Sequence, residues 1–163
     1  MNKTDIYIFI QEVVKELTNL DIVIMADPNA PSPTSTYCSV YISNTADKIA
    51  APIIDNKYIV DDEQIELSYL QLIRNEVVLN FYGKDSLDNA SKLYNSLYTE
   101  YVKLKSYQKN IYINSIGSII NLTALQSNNF EERAKMSIFV EYMVGMKEIV
   151  NSIEKFEINV KTK

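Results

Sequence analysis

The sequence predicts an α+β fold, an α/β sandwich built on one mixed, mainly antiparallel twisted sheet of about five to seven strands. Two amphipathic helices are expected to pack on one face of that sheet. Three observations carry the prediction. Residues 134–142 alternate strictly between apolar and polar side chains, residues 4–19 have helical apolar spacing, and most strand-like segments follow one another through short links. Short links favour antiparallel pairing, because parallel neighbours need a long crossover.

The clearest strand signal lies in residues 118–142, which we interpret as two strands joined by a polar turn at Gln126–Asn129. In the second strand every other residue is apolar, as expected for a strand buried on one face. The predicted core face consists of Ala134, Met136, Ile138, Val140 and Tyr142. Arg133, Lys135, Ser137 and Glu141 occupy the other face, where Phe139 is the one apolar exception.

Two helices are predicted from apolar spacing. The first runs from Thr4 or Asp5, either of which can serve as N-cap, to Asn19. The second begins after Gly83 and closes near Lys105, where lysines suit the negative end of the helix dipole. Its expected inward positions are Ala90, Leu93, Tyr94, Leu97, Tyr101 and Leu104.

The remaining strands are shorter. We predict them at residues 37–43, 64–70, 76–82 and 156–160, with a break near residues 73–75. The alternation at 37–43 makes Cys38 a small core residue. Residues 21–26 are interpreted as a buried connector.

The length and composition fit one domain over residues 1–163. A proline-rich loop at 27–36 and an arm or hairpin at 44–63 are the segments least suited to the core, and so the first candidates for contacts with other proteins. The amino-terminal residues do not form a signal peptide, no apolar run is long enough to span a membrane, and the single cysteine fits a reducing compartment. The net charge of −5 and the lack of a basic cluster argue against specific nucleic-acid binding.

The residue types needed for common catalysis are missing. The chain has no histidine, one cysteine and three widely separated glycines, so the sequence predicts no catalytic residues, no metal site and no cofactor. Asp61, Asp62, Glu63 and Glu66 form the only dense carboxylate cluster in the sequence. A magnesium-dependent hydrolase that uses Asp61, Asp62 and Glu66 is therefore a remote alternative to a solvated acidic turn.

Several motifs occur in an order that is typical of a known family. They are Val77–Asp85 with its Phe-Tyr-Gly step, Ile120–Leu125, Phe130–Ala134 and Ile153–Ile158. An early loop with Asn29, Pro31, Pro33 and Tyr37 precedes them. In this order and spacing the chain resembles the tail-terminator or neck-terminator proteins of tailed bacteriophages and phage tail-like particles.

The resemblance implies a structural virion protein that forms a ring, usually a hexamer, on the head-proximal end of the tail tube. Such a ring stops tube polymerisation and docks the neck or head. The implied partners are further copies of the chain, the tail tube protein, a neck or head–tail connector protein and, in a contractile tail, the sheath protein. DNA would pass through the lumen without specific binding, and assembly would take place in the host bacterial cytoplasm. Another head–tail connector or tail-completion ring is the alternative within the same class.

We expect the subunit or tube contacts to involve the proline-rich loop, the arm and the turn end of the 118–142 hairpin. The candidate interface residues are Pro31, Pro33, Asp62, Asn121, Phe130, Glu131 and Arg133. Glu131 and Arg133 are further expected to take part in an ion pair between subunits, since arginine can bind a carboxylate through two hydrogen bonds.

Overall fold

A computed structural model describes residues 2–26, 29, 31–58, 64–126 and 129–151 of the chain. Within these residues there are three helices: α1 (Lys3–Thr18), α2 (Ser86–Ser96) and α3 (Glu100–Lys109). The strands are β1 (Val23–Met25), β2 (Tyr37–Lys48), β3 (Ile53–Tyr58), β4 (Gln64–Tyr82), β5 (Ile111–Ile116), β6 (Ile120–Asn121), β7 (Ala124–Gln126), β8 (Asn129–Glu131) and β9 (Arg133–Asn151). The predicted strand at 156–160 and the acidic residues 61–63 lie outside this part of the chain.

One mixed sheet organises the described residues. Its main order is β1-β2-β4-β9-β5, with β3 paired to β4 and β6 paired to β9, which makes seven strands. β1 runs parallel to β2, and the other pairs in this sheet are antiparallel. Residues 21–26, interpreted from the sequence as a connector, therefore contribute a short parallel strand.

The helices cover one face of the sheet, which confirms the predicted α+β class. Alternate residues of β4 and β9 point into the core, and the continuous register pairs Val77 with Ile138 and Leu79 with Met136. Burying this apolar face under the helices is the main stabilising contribution to such a fold. From the helices the core receives Ile6, Phe9, Ile10, Val13, Val14, Ala90, Leu93 and Val102.

The first helix begins earlier than the sequence predicted. Asn2 is the N-cap: its side chain accepts a hydrogen bond from the Asp5 amide, and the Asp5 carboxylate accepts one from the Asn2 amide, both at 2.9 Å. This reciprocal capping box satisfies two amides that the first turn leaves free.

The prediction of one long second helix was wrong, because the helix is interrupted at residues 97–99, between α2 and α3. Thr99 is the N-cap residue of α3, and its hydroxyl donates to the Ser96 carbonyl at 2.8 Å. The break changes which positions face inward. Leu97 is buried, whereas Tyr94 and Leu104 are exposed and only Tyr101 of the later positions packs partly against the core.

The predicted break near residues 73–75 was also wrong, since β4 is continuous from Gln64 to Tyr82. Its polar residues have partners on β9. Arg74 pairs with Glu141, and Asn75 accepts a hydrogen bond from the Tyr142 hydroxyl at 2.8 Å. Polar groups satisfied in this way are compatible with the centre of a strand.

The predicted 118–142 hairpin is partly right. Its second strand is the first half of β9, with the expected five core positions buried. Its first strand is divided: β6 pairs with β9, while β7 and β8 form a separate two-stranded hairpin in which Leu125 is opposite Phe130.

About half of each long strand, β4 and β9, extends beyond the helix-covered part of the sheet. We define the arm as β3 together with residues 64–72 of β4 and residues 143–151 of β9. The buried alternation of β9 stops at Tyr142, and Met143, Val144, Met146 and Ile149 are exposed. The segment 44–63, predicted as an arm or hairpin, contains the end of β2 and the strand β3, and its residues 59–63 lie outside the described part of the chain.

Candidate assembly surface

Three segments meet at the end of the sheet that lies opposite the arm. The proline-rich loop, the turn between β4 and α2, and the two residues that precede β9 line an open cleft of about 780 Å³. We name it the loop-end cleft; its lining residues are Pro33, Thr34, Ser35, Thr36, Tyr37, Tyr82, Gly83, Lys84, Glu131 and Glu132.

Beside this cleft, three side chains from neighbouring strands stack on one another. The register places Tyr37 opposite Tyr82 and Tyr82 opposite Arg133 on neighbouring strands. The two tyrosine rings stack with centroids 4.6 Å apart and planes inclined by 9°, and the Arg133 guanidinium lies 4.8 Å from the Tyr82 ring. An arginine over an aromatic face is an attractive cation–π arrangement.

Arg133 is held within its own chain. Its Nη2 donates to the Asn80 side-chain oxygen at 3.1 Å, and its backbone amide donates to the Thr123 hydroxyl at 3.3 Å. The buried Nε has no hydrogen-bond partner among the described residues. A buried donor without a partner is unusual and costs stability, so Arg133 is a cation held in place while its Nε–H is unpaired among the described residues.

Glu132 joins β9 to the turn before α2. Its carbonyl accepts from the Gly83 amide at 3.0 Å, and its carboxylate accepts from the Asp85 amide at 2.9 Å. Asp85 is the α2 N-cap in a left-handed conformation and makes no side-chain cap bond, so Glu132 supplies the anionic partner at this helix start. The sequence argument missed this residue, because the bond joins positions 47 apart.

The structure brings only some of the sequence-predicted interface residues together. Pro33 and Glu131 line the loop-end cleft, and Arg133 stacks behind it. Pro31 is exposed in the same loop. Asn121 serves a local turn, since its side chain accepts from the Thr123 amide at 2.9 Å. For Phe130 the structure describes the backbone pairing alone, and Asp62 lies outside the described residues.

A second charged cluster on the open face of the sheet was not foreseen. Nε and Nη2 of Arg74 donate to one Glu141 oxygen at 2.9 and 2.6 Å, and the Asn114 amide donates to the same oxygen. The Arg74 guanidinium also lies 5.9 Å from the Phe139 ring. This contact explains why an apolar residue, Phe139, occupies the otherwise polar face of β9. The cluster satisfies its own charges and links β4, β9 and β5.

The described residues offer little to support catalysis. No three cysteine, aspartate or glutamate side chains among them converge as a metal site would require. The Cys38 thiol is fully buried, and this burial raises its pKa well above the ordinary value, which disfavours the reactive thiolate. None of the helices in the described ranges has the length and apolar character needed to cross a membrane.

Comparison with known proteins gives a family match over nearly the whole chain. Residues 4–163 match the family described as phage neck terminator protein. Among solved structures, one similar chain is the sheath/tube terminator of PVC, an extracellular contractile injection system, in its extended state. The TM-score is 0.54 at 11% identity, and the match covers 100% of this chain and 64% of the other, so the likeness shows a shared fold. No curated protein matches the chain.

Proposed function

The chain belongs to the phage neck terminator proteins. We therefore propose that it forms a ring of six subunits at the head-proximal end of the tail tube. It is a structural protein of the virion tail or neck and not an enzyme. The carboxylate hydrolase alternative is therefore wrong, and Glu66 is engaged by Lys147 at 2.8 Å.

The observation that carries the proposal is the family match over residues 4–163. We take residues 1–163 as one terminator domain. The ring would stop tube growth because its two faces differ: one binds the last tube ring, and the other offers the neck a surface that tube protein cannot extend. Contacts between unlike surfaces of identical subunits close into a ring when the rotation between neighbours closes.

The proposed partners are the tail tube protein, the neck or head–tail connector protein and, where the tail is contractile, the sheath protein. Assembly would take place in the host bacterial cytoplasm. The net charge of −5 suits a lumen through which DNA passes without binding.

We propose that the loop-end cleft contacts a neighbouring subunit of the ring or the tail tube. It combines a charged rim, provided by Lys84, Glu131 and Glu132, with the fixed Arg133 behind it. Its donors and acceptors suit a polar partner segment more than an apolar one. Arg133, which is half-buried, is itself proposed to bind a carboxylate of a neighbouring subunit through its guanidinium group.

The proposed function is tested by adding the purified chain to polymerising tail tube protein and imaging the tubes by electron microscopy. We expect short tubes that each carry one ring at one end. A chain that stays monomeric by native mass spectrometry, alone and with tube protein, would contradict the proposal. A ring located elsewhere in the assembled particle would favour the connector or tail-completion alternative.

For Arg133, we expect Arg133→Glu to leave the monomer folded and to weaken the ring at least tenfold, because a carboxylate would meet a carboxylate. Lys135→Glu, two residues along the same face of β9, is the matched control. Normal ring assembly by the Arg133 variant in sedimentation velocity would refute the assigned contact.

A further inference from the structure

The arm carries an apolar face that none of the three described helices covers. The unbroken register of β4 and β9 continues the core side of the sheet into the arm. On this side, which we name the helix-side face, Val144 is 42% exposed, Met146 63% and Ile54 of the paired strand β3 56%. Ile65, Leu67 and Tyr69 lie half-buried between them.

The two faces of the arm differ in chemistry. The opposite face carries the Lys147–Glu66 ion pair, Asp55 and Ser68 beside its apolar residues. The helix-side face of residues 65–69 and 144–148 has one charged residue, Glu148, which accepts a hydrogen bond from the Tyr69 hydroxyl at 3.3 Å. An exposed apolar patch rimmed by a few polar groups is typical of a protein–protein contact.

A complementary groove lies at the other edge of the same sheet. It has a volume of about 180 Å³ and lies between α3 and the edge strand β5, where Leu97, Tyr98, Val102 and Tyr112 line it. Lys103 stands at its rim. β3 and β5 occupy opposite sides of the β4–β9 pair, so the arm and the groove are two separate surfaces of the subunit. They can join neighbouring subunits head to tail.

We propose that the helix-side face of the arm packs into the α3–β5 groove of a second copy of this chain, and that this contact repeats around the ring. The inference rests on the proposed ring. The charges agree with it: Glu148 on the arm is acidic, and Lys103 at the groove is basic. Lys103 pairs with Glu100 at 2.8 Å in an exposed ion pair, and such pairs are weak enough to exchange partners.

The size of the arm favours a ring over a dimer. At ordinary strand spacing the arm is roughly 30 Å long and about 14 Å wide, a projected face of about 400 Å². A standard interface uses about 800 Å² on each partner. In a ring every subunit makes the contact twice, once through its arm and once through its groove, so it uses about 800 Å² in total over two interfaces of about half the standard size, whereas a head-to-tail dimer would use about half of that total.

The test compares neighbouring residues that point to opposite faces. Ile54 lies on the helix-side face and Ile53 on the other, with exposed fractions of 56% and 58%. By sedimentation velocity and native mass spectrometry of the full chain, Ile54→Lys should weaken self-association at least tenfold, while Ile53→Lys should retain the ring. Met146→Lys and Ile149→Lys form a second pair, exposed by 63% and 60%. Far-ultraviolet circular dichroism should show that all four remain folded.

Charge reversal tests the partner surface. Glu148→Lys should weaken the ring, and Lys103→Glu in the same chain should restore it. Equal effects of the Ile53 and Ile54 variants, or no rescue by Lys103→Glu, would overturn this contact while leaving the ring itself in place. A wild-type chain that is monomeric with and without tube protein would instead remove the proposed ring.

Discussion

Tyr142 marks the boundary between the body of the sheet and the arm. Its ring is 9% exposed, and its hydroxyl donates to the side-chain oxygen of buried Asn75 at 2.8 Å. Burial raises the pKa of the Tyr142 hydroxyl, so it stays protonated and able to donate at neutral pH. The bond allows a polar residue to occupy the centre of β4.

We therefore expect Tyr142→Phe to lower the free energy of unfolding by about 1–2 kcal/mol, because a buried hydrogen bond is lost. Urea denaturation measures the effect. Tyr41→Phe is the control, since Tyr41 is 47% exposed. Equal losses in both variants would contradict the role given to the Tyr142–Asn75 bond.

Gly83 is the second residue whose identity the fold requires. Its φ is +84°, and a Cβ at this position would lie 3.0 Å from the Thr36 hydroxyl oxygen and 3.1 Å from the Thr36 Cα. Most side chains resist this backbone conformation. Gly83 thus allows the proline-rich loop to approach the turn before α2.

Gly83→Ala should destabilise the chain by about 1 kcal/mol or more, through strain at a positive φ. Gly145→Ala is the matched control, because there the nearest atom is the movable end of the Leu70 side chain at 3.3 Å. Thermal unfolding of both variants compares them. A larger loss for Gly145→Ala would contradict the argument.

At the scale of elements, α1 and α3 are joined by charge as well as by packing. Glu12 of α1 pairs with Lys105 of α3 at 3.0 Å and lies 3.6 Å from Lys109. The hydrogen bond from Lys105 lowers the pKa of the Glu12 carboxyl below its ordinary value of 4.5. The stabilising effect is therefore complete above pH 4.5 and is lost as the pH falls through the lower pKa of the folded state.

Glu12→Gln should consequently reduce the urea midpoint slightly at pH 7, and the difference from wild type should vanish in strong acid. The effect is small because both side chains are partly exposed. Glu16→Gln, at an exposed position of the same helix, serves as control. A difference that persists unchanged at low pH would show that the Glu12 charge is not its cause.

The long strands show how far sequence patterns reach. The alternation of apolar and polar residues identified the strand at 134–142, because there one face of the strand is buried and the other faces solvent. It failed beyond Tyr142, where both faces carry apolar residues such as Met143 and Val144. It also failed at Arg74, which looks like part of a turn until its distant partner Glu141 is known. Which residue lies opposite another on a distant strand depends on the tertiary structure and cannot be predicted from local patterns.

At the scale of the whole molecule, a helix-covered body and an uncovered arm share two continuous strands. The body buries residues of β9 such as Met136 and Val140 completely, whereas Met146 and Ile149 of the arm are largely exposed. Regions with less buried apolar surface open locally at a lower free-energy cost.

Hydrogen exchange should therefore be faster at the amides of residues 143–149 than at those of residues 134–142 in the isolated chain. Assembly of the proposed ring should slow exchange in the arm and leave the body unchanged. Mass spectrometry of peptides from β4 and β9 measures both regions. Uniform protection along β9 before assembly would contradict the division into body and arm.

Local periodicity and the order of motifs were enough to predict the α+β class, the core face of β9, the first helix and a family resemblance that the comparison confirmed. The tertiary structure decided the continuity of β4, the break between α2 and α3, the stack of Arg133 on Tyr82 and the arm. These features arise from partners far apart in the chain, and local patterns carry no record of which distant residue satisfies a charge or covers an apolar face.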